Sequence, residues 1–118
     1  MQLEILKNEL VFDGAESDFY SFQFEVECLH CKKVIDILAD DMLPLEDISD
    51  KKLLKLLTKT FKLRRKVGGF NYENEKGLES YYTECSCNSC GNKNYVVASI
   101  GEIQPTRFQV CLDGILVK

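Results

Sequence analysis

Residues 20–31 read YSFQFEVECLHC, and they contain the clearest strand pattern in the chain. Apolar and polar side chains alternate over the nine positions from Tyr20 to Cys28, which is the period of a β-strand with one buried face. The strand leads directly into the short turn Cys28-Leu-His-Cys31, so two residues separate the two cysteines. The stretch therefore predicts a strand that presents a closely spaced pair of thiols at its end.

A second pair of cysteines follows another predicted strand. Segments 70–72 and 80–83 are predicted to form a hairpin through residues 74–77, and its second strand runs toward Cys87-Asn-Ser-Cys90. Four thiolates on two tight turns match the tetrahedral shell of Zn²⁺, in which each Zn–S distance is about 2.3 Å. We therefore predict one structural zinc site with four ligands: Cys28, Cys31, Cys87 and Cys90.

Other roles for the cysteines compete with zinc binding. All of them could be buried free thiols, since cysteine is among the most buried residue types. A redox dithiol is a further alternative, because the apolar segment 34–38 could form the helix that follows a thioredoxin-like motif. Cys85 shares a strand face with Cys87 and competes with it as a ligand, whereas Cys111 is expected to be a core thiol. His30 lies inside the first turn, where it is expected to point outward.

The two cysteine turns and the strands that lead into them resemble zinc ribbons. The resemblance covers these parts only, because 55 residues separate Cys31 from Cys87, so that a helix and a hairpin are inserted between the two halves. A four-thiolate site has no open coordination position and does not activate water. We therefore expect the metal to supply folding energy rather than catalysis.

The segment from Ile48 to Phe61 has the period of an amphipathic helix. Leucines and Phe61 form one stripe and lysines the opposite one, and Ser49-Asp50 provide a start signal. Further strands are predicted near the start of the chain and over 95–100 and 107–112, with a two-residue hairpin turn at Asp113-Gly114. The expected fold is α+β: a mostly antiparallel sheet with one main helix and a zinc-ribbon-like four-cysteine site.

Length and composition fit one domain covering residues 1–118. The chain is 45% hydrophobic and 29% charged, which are ordinary values for a globular protein. It has no apolar run of the roughly 18 residues needed to span a membrane, and its first residues lack the pattern of a secretory signal. We therefore expect a cytoplasmic location, where the six cysteines are thiols or metal ligands rather than disulfides.

The sequence contains little of what an enzyme needs. Its single histidine lies inside a cysteine turn, and the chain has neither a glycine-rich phosphate loop nor a nucleophile elbow. The polar segment 101–107 contains an arginine, but it is better explained as a surface connection. We therefore predict a protein without enzymatic activity.

Charge is divided unevenly along the chain. Residues 1–50 have a formal charge of −10, residues 51–66 of +8 and residues 67–118 of −2, which together give −4. The basic segment 51–66, with nearby aromatic residues that could stack on bases, favours nucleic-acid binding as the alternative function. A solvated helix face, or neutralisation by the acidic half, explains the same charges without any ligand. The aromatic residues are Phe70, Tyr72, Tyr81 and Tyr82.

The acidic first half of the chain is the other candidate surface. It can attract a basic protein and block that protein's substrate site, as small acidic inhibitors of nucleic-acid-directed toxins do. A small protein without catalytic residues suits such an immunity or antitoxin role. We therefore predict a non-enzymatic binding protein that acts through a protein partner, with a basic toxin or enzyme as the most specific version. The acidic residues concerned are Glu16, Asp18, Glu25, Glu27, Asp36, Asp40, Asp41, Glu46 and Asp47.

Overall fold

The computed structural model describes residues 2–117, and its largest unit is a seven-stranded antiparallel sheet. In chain order the strands run first, ninth, eighth, seventh, sixth and fifth across this sheet, and the short fourth strand pairs with part of the seventh. The second and third strands form a separate hairpin. Within residues 2–117 the strands are β1 (Leu3–Ala15), β2 (Gln23–Glu27), β3 (Val34–Leu38), β4 (Leu43–Pro44), β5 (Arg64–Arg65), β6 (Tyr72–Glu73), β7 (Glu79–Ser86), β8 (Lys93–Gln104) and β9 (Arg107–Val117).

The β2–β3 hairpin packs against one face of the large sheet. Phe24 and Val26 point into the core, where they pack with alternate residues of β8 such as Val96. The predicted alternation is confirmed over β2, while the residues before it form a single helical turn, α1 (Glu16–Phe19). Segment 34–38 is strand β3, so the thioredoxin-like interpretation, which requires a helix there, is wrong.

The longer helix, α2 (Lys51–Thr60), covers the opposite face of the large sheet. The Asp50 carboxylate begins it, because it accepts hydrogen bonds from two backbone N–H groups of the first turn, at 3.0 and 3.2 Å. Leu53 and Leu57 are buried against Val97, which lies on the other face of β8 from the hairpin. The predicted helix and its apolar stripe are therefore confirmed, with a later start than expected.

These elements form three layers: the β2–β3 hairpin, the large sheet and α2. Two short 3₁₀ turns, Ala39–Asp41 and Leu45–Asp47, lie on either side of β4 and carry the chain from the hairpin to α2. A mostly antiparallel sheet with few helices agrees with the expected class at that level, and the likeness to zinc ribbons is confined to the cysteine turns. Within residues 2–117, no helix is long and apolar enough to cross a membrane.

The prediction of a hairpin turn at Asp113-Gly114 is wrong, because both residues lie inside β9. The pairing of β9 with β8 shifts by one residue between Leu112 and Gly114, so Asp113 is the additional residue of a β-bulge. A side chain at Gly114 would collide with the Phe61 ring and the Ile5 carbonyl oxygen. The Asp-Gly pair therefore marks a close approach of β1, β9 and the end of α2 rather than a chain reversal.

Candidate metal centre

The β2–β3 and β7–β8 turns bring four sulfur atoms together. Cys28 Sγ lies 3.6 Å from Cys90 Sγ, and Cys31 Sγ lies 3.3 Å from Cys87 Sγ. An ion with four tetrahedral Zn–S bonds of about 2.3 Å places its sulfurs roughly 3.8 Å apart. The spacing of the four thiols therefore fits one ion of that size. All four Sγ atoms lie within 4.8 Å of one another: Cys28, Cys31, Cys87 and Cys90.

Backbone hydrogen bonds shape the first cysteine turn. The Cys28 N–H donates to the Lys33 carbonyl at 2.8 Å, and the Lys32 N–H donates to the Cys28 carbonyl at 2.8 Å. Lys32 has a φ of +69°, a left-handed conformation that is uncommon for a residue with a side chain. The chain therefore reverses immediately after Cys31, which keeps both thiols of the pair on the same side of the turn.

The second cysteine turn repeats this backbone pattern position for position. The Cys87 N–H donates to the Asn92 carbonyl at 3.0 Å, and the Gly91 N–H donates to the Cys87 carbonyl at 2.8 Å. Gly91 occupies the left-handed position with a φ of +75°, which glycine adopts without steric cost. The two turns are therefore equivalent structures that face one another across the sulfur cluster.

Two asparagine side chains donate hydrogen bonds to the sulfurs. The Asn94 amide donates to Cys28 Sγ at 3.4 Å, while its oxygen accepts the Leu29 N–H at 3.3 Å. Asn94 is fully buried, and it joins the first turn to β8. The Asn92 amide donates to Cys90 Sγ at 3.3 Å. Amide donors of this kind stabilise thiolates. Neither asparagine is among the site residues predicted from the sequence.

The pKa values of the thiols show how negative charge is distributed over the cluster. Burial acts to raise the pKa of the Cys28 thiol, but backbone N–H groups of its own turn and the Asn94 amide outweigh burial and lower it to about 6. Backbone N–H groups likewise lower the pKa of Cys87. For Cys31 the Lys33 N–H acts to lower the pKa, but contact with the other sulfurs, Cys87 foremost, raises it to about 12. The Cys31 thiol can therefore be ionised together with Cys28 and Cys87 at neutral pH only beside a cation.

The other candidate side chains lie outside the cluster. Cys85 packs at the edge of the core, where burial raises the pKa of its thiol, and it is not placed to replace Cys87. Cys111 is buried in β9, as expected, and burial raises its pKa as well. His30 is exposed, also as expected. Within residues 2–117, no other group of three or more Cys, His, Asp or Glu side chains is close enough to hold one ion.

The chain was compared with models of protein families, with curated proteins and with solved structures. None of these comparisons found a match. Within residues 2–117, the four-cysteine cluster is the feature that carries the most chemical information.

Proposed function

We propose that this chain is a small, non-enzymatic binding protein whose fold is completed by one structural Zn²⁺. The observation that carries the proposal is the convergence of four thiols within 4.8 Å on two equivalent turns. Sulfur would fill all four tetrahedral positions, so the ion would have no open position for substrate or water. The proposed ligands are Cys28, Cys31, Cys87 and Cys90.

The proposed ion would hold the β2–β3 hairpin to the large sheet. Within residues 2–117, the hydrogen bonds and sulfur contacts that link segment 23–38 to that sheet all lie at the cysteine turns. The rest of this junction is apolar packing around Phe24 and Val26. A metal bound at the cluster would therefore add a strong, directional connection where the fold has few of its own.

Metal analysis of the purified protein tests this proposal. We expect one Zn²⁺ per chain, and Co²⁺ substitution should produce the visible absorption of a tetrahedral tetrathiolate site. Cys31→Ser should abolish both signals, because it removes a ligand. The matched controls Cys85→Ser and Cys111→Ser should leave both unchanged. A chain purified without metal that does not take up Zn²⁺ or Co²⁺ would contradict the proposal, and so would loss of metal in the Cys85→Ser control.

The proposed partner is a basic protein, and the outer face of the β2–β3 hairpin supports this. Glu25 of β2 lies directly opposite Asp36 of β3 in the strand register, and both are exposed. Like charges in directly opposite positions destabilise a sheet, and neither residue has an ion-pair partner within residues 2–117. A basic surface placed against this face would neutralise both carboxylates. An immunity-type inhibitor that covers the substrate site of a basic toxin or enzyme is the most specific form of this proposal.

Comparison of variants tests the protein-partner proposal. Partners can be cross-linked in cells that produce the wild-type chain or the Glu25→Gln/Asp36→Asn double variant. We expect a basic protein that is captured by the wild type and lost with the double variant. The control Glu102→Gln removes one exposed carboxylate near the β8–β9 turn and should not change capture. A partner captured equally by the wild type and the double variant would contradict the role of this face.

Nucleic-acid binding is the second candidate function. It is favoured because, within residues 2–117, only two of the eight cations of the basic segment form ion pairs. Arg64 pairs with Glu73 at 2.9 Å and Lys66 with Glu79 at 2.7 Å, and both acids come from residues 67–118. No ion pair within residues 2–117 joins the basic segment to residues 1–50, which supports this candidate over neutralisation by the acidic half. Among the residues that the structure describes, six exposed cations of segment 51–66 form no ion pair: Lys51, Lys52, Lys55, Lys59, Lys62 and Arg65.

A further inference from the structure

The turn between β5 and β6 exposes two large apolar side chains. Val67 is 98% exposed and Phe70 is 78% exposed. The turn is nevertheless well defined by hydrogen bonds: the Lys66 N–H donates to the Asn71 carbonyl at 2.9 Å, and the Gly69 N–H donates to the Lys66 carbonyl at 3.1 Å. Phe70 is therefore held in water on an ordered turn, at a cost that packing within residues 2–117 does not offset.

The base of this turn is anchored in the core. Asn71 is buried, and its amide donates to the Ser80 carbonyl at 3.1 Å while its oxygen accepts the Glu46 N–H at 3.3 Å. The neighbouring Phe70 consequently has a fixed point of attachment one residue away. An exposed aromatic side chain on such a support can stack on a ligand with little loss of chain entropy.

Positive charge without an ion-pair partner within residues 2–117 lies on the elements that lead to Phe70. The Arg65 guanidinium lies 5.8 Å from the centroid of the Tyr72 ring, so its planar group is held over an aromatic face rather than by a carboxylate. Lys62 is exposed in the bend that joins α2 to β5. The exposed side of α2 adds a row of lysines at helical spacing: Lys51, Lys52, Lys55 and Lys59.

We propose that α2 and the β5–β6 turn bind single-stranded nucleic acid, with lysines of α2 and Arg65 on the phosphates and Phe70 stacked on a base. The inference rests on the second candidate function and assigns its ligand class and contact residues. A single strand is required because the bases of a duplex already stack on one another, whereas an unpaired base offers a free face to Phe70. Stacking of this kind does not depend on base identity, so binding should tolerate many sequences.

The three-layer fold explains how a chain of net charge −4 can present a basic surface. The carboxylates of the β2–β3 hairpin and the lysines of α2 lie on opposite sides of the large sheet, as the contacts of the two elements with Val96 and Val97 show. Those carboxylates are Glu25, Glu27 and Asp36. Exposed charges that lie more than about 10 Å apart are largely screened at physiological salt. These three carboxylates therefore do little to weaken the attraction of phosphates to the lysines of α2.

An anionic membrane is the competing ligand, because it also attracts cations beside apolar side chains. Membrane binding strengthens with the apolar area that enters the lipid. Here that area is confined to Val67 and Phe70, since the apolar stripe of α2 is buried against the sheet. The geometry therefore favours a nucleic acid, for which one stacked ring and a row of cations are sufficient.

Fluorescence anisotropy tests the proposal with labelled single-stranded RNA and DNA of mixed sequence, about 20 nucleotides long so that they exceed the site size of small binding domains. We expect both single strands to bind more tightly than a duplex of the same length. Phe70→Leu should weaken single-strand binding about 5- to 150-fold, which corresponds to one lost stacking contact. Lys55→Gln/Lys59→Gln should make the slope of log K against log salt shallower by about 1.4, because each phosphate contact contributes about 0.7. The control Lys7→Gln, on β1, should change neither value.

Three results would overturn the proposal. Equal binding of single strands by the wild type and Phe70→Leu would show that Phe70 does not stack on a base, although nucleic-acid binding itself would stand. Failure of the wild type to bind any oligonucleotide would overturn both this inference and the second candidate function, without touching the zinc or protein-partner proposals. Binding to vesicles of phosphatidylserine and phosphatidylcholine, unchanged in Phe70→Leu and without oligonucleotide binding, would assign the surface to membranes.

Discussion

The two cysteine turns share one backbone pattern but stand on very different supports. The second turn, around Cys87 and Cys90, joins β7 to β8, and β8 is paired along its other edge with β9. The first turn, around Cys28 and Cys31, joins β2 to β3, a hairpin that pairs with no further strand of the described residues 2–117. An isolated two-stranded hairpin is at best marginally stable in water, whereas strands inside a larger sheet are stabilised by their neighbours.

A metal bound at the sulfur cluster would therefore stabilise the two turns unequally. The second turn would keep its shape without a metal, because the surrounding sheet holds both of its strands. The first turn depends on apolar packing of Phe24 and Val26 and on its contacts with the second turn. Changes at the cluster should therefore act mainly on the β2–β3 hairpin.

Removal of the proposed metal should produce the largest effect. Chelation, or Cys28→Ser, is expected to lower the free energy of unfolding by several kcal/mol, since structural zinc contributes about 10–16 kcal/mol in zinc-finger peptides that have almost no core. Hydrogen exchange should accelerate at Val26 and Ile37 but not at Val97, because β8 keeps its neighbours. The measurement is hydrogen exchange with and without chelator, and equal acceleration in β2 and β8 would contradict the asymmetry.

Acidification should affect the metal centre and the large sheet in opposite directions. Burial raises the pKa of Asp113 to about 6, from 3.8 in the unfolded chain, although Ser99 and Asn74 donate hydrogen bonds that oppose the rise. The folded state thus binds the Asp113 proton more tightly than the unfolded state does. The resulting contribution to the free energy of unfolding is complete below pH 3.8 and is lost as the pH rises through about 6. A shift of about two pKa units corresponds to at most ~3 kcal/mol.

Urea unfolding between pH 4 and pH 7 separates these two regions. Relative to Asp113→Asn, the metal-free wild-type protein should gain stability as the pH falls through about 6, because the titration of the thiols is common to both and cancels in the comparison. The metal-bound protein should instead lose stability in acid, since protons compete with the ion for thiolates. A metal-free Asp113→Asn variant with an unchanged pH trend would show that another group is responsible.

Substitution of the two asparagines compares the turns more finely. Asn94→Ala should lower metal affinity about 10- to 100-fold and the free energy of unfolding by about 1–3 kcal/mol, because it removes a buried donor to Cys28 and the acceptor for the Leu29 N–H. Asn92→Ala should have a smaller effect, since Asn92 is only partly buried. Competition against a chelator of known affinity measures both, and a larger loss in Asn92→Ala would reverse the expected order.

The left-handed positions should show the smallest effects, with opposite signs. Gly91→Ala is expected to destabilise the protein by about 1 kcal/mol, and Lys32→Gly to change stability by a few tenths to about 1 kcal/mol in the stabilising direction. A methyl group at Gly91 would meet no atom within 4 Å, so its cost would come from backbone conformation alone. Thermal unfolding of both metal-bound variants provides the measurement. The same sign of change in both variants would contradict the equivalence of the turns.

Local periodicity predicts the parts of the fold that bury one side against a single layer. Apolar residues recur at intervals of two in β2 and at helical intervals in α2, because each element faces the sheet with one side only. Segment 34–38 reads VIDIL, a short apolar run that suits either a strand or a buried helix. Its pairing with β2, rather than its own sequence, makes it a strand.

Contacts between distant residues are not visible in local patterns. Asp113-Gly114 has the composition of a hairpin turn, but its role depends on Phe61 and Ile5, which only the folded chain brings close. Asn94 contacts Cys28 across 66 positions of sequence. A polar residue inside an apolar strand is its one local signal, and that signal has meaning only once the register of β8 is known.

The separation of the two turns along the chain has a consequence for biosynthesis. Cys28 and Cys90 are 62 residues apart, so a ribosome working at about 5–20 residues per second adds Cys90 roughly 3–12 s after Cys28. During this interval the first pair of thiols has no partners from the second turn. The complete cluster of four thiols exists only after β7 and β8 have been made, so capture of the proposed metal would come late in folding. For the proposed site to form, Cys28 and Cys31 would have to remain reduced until then.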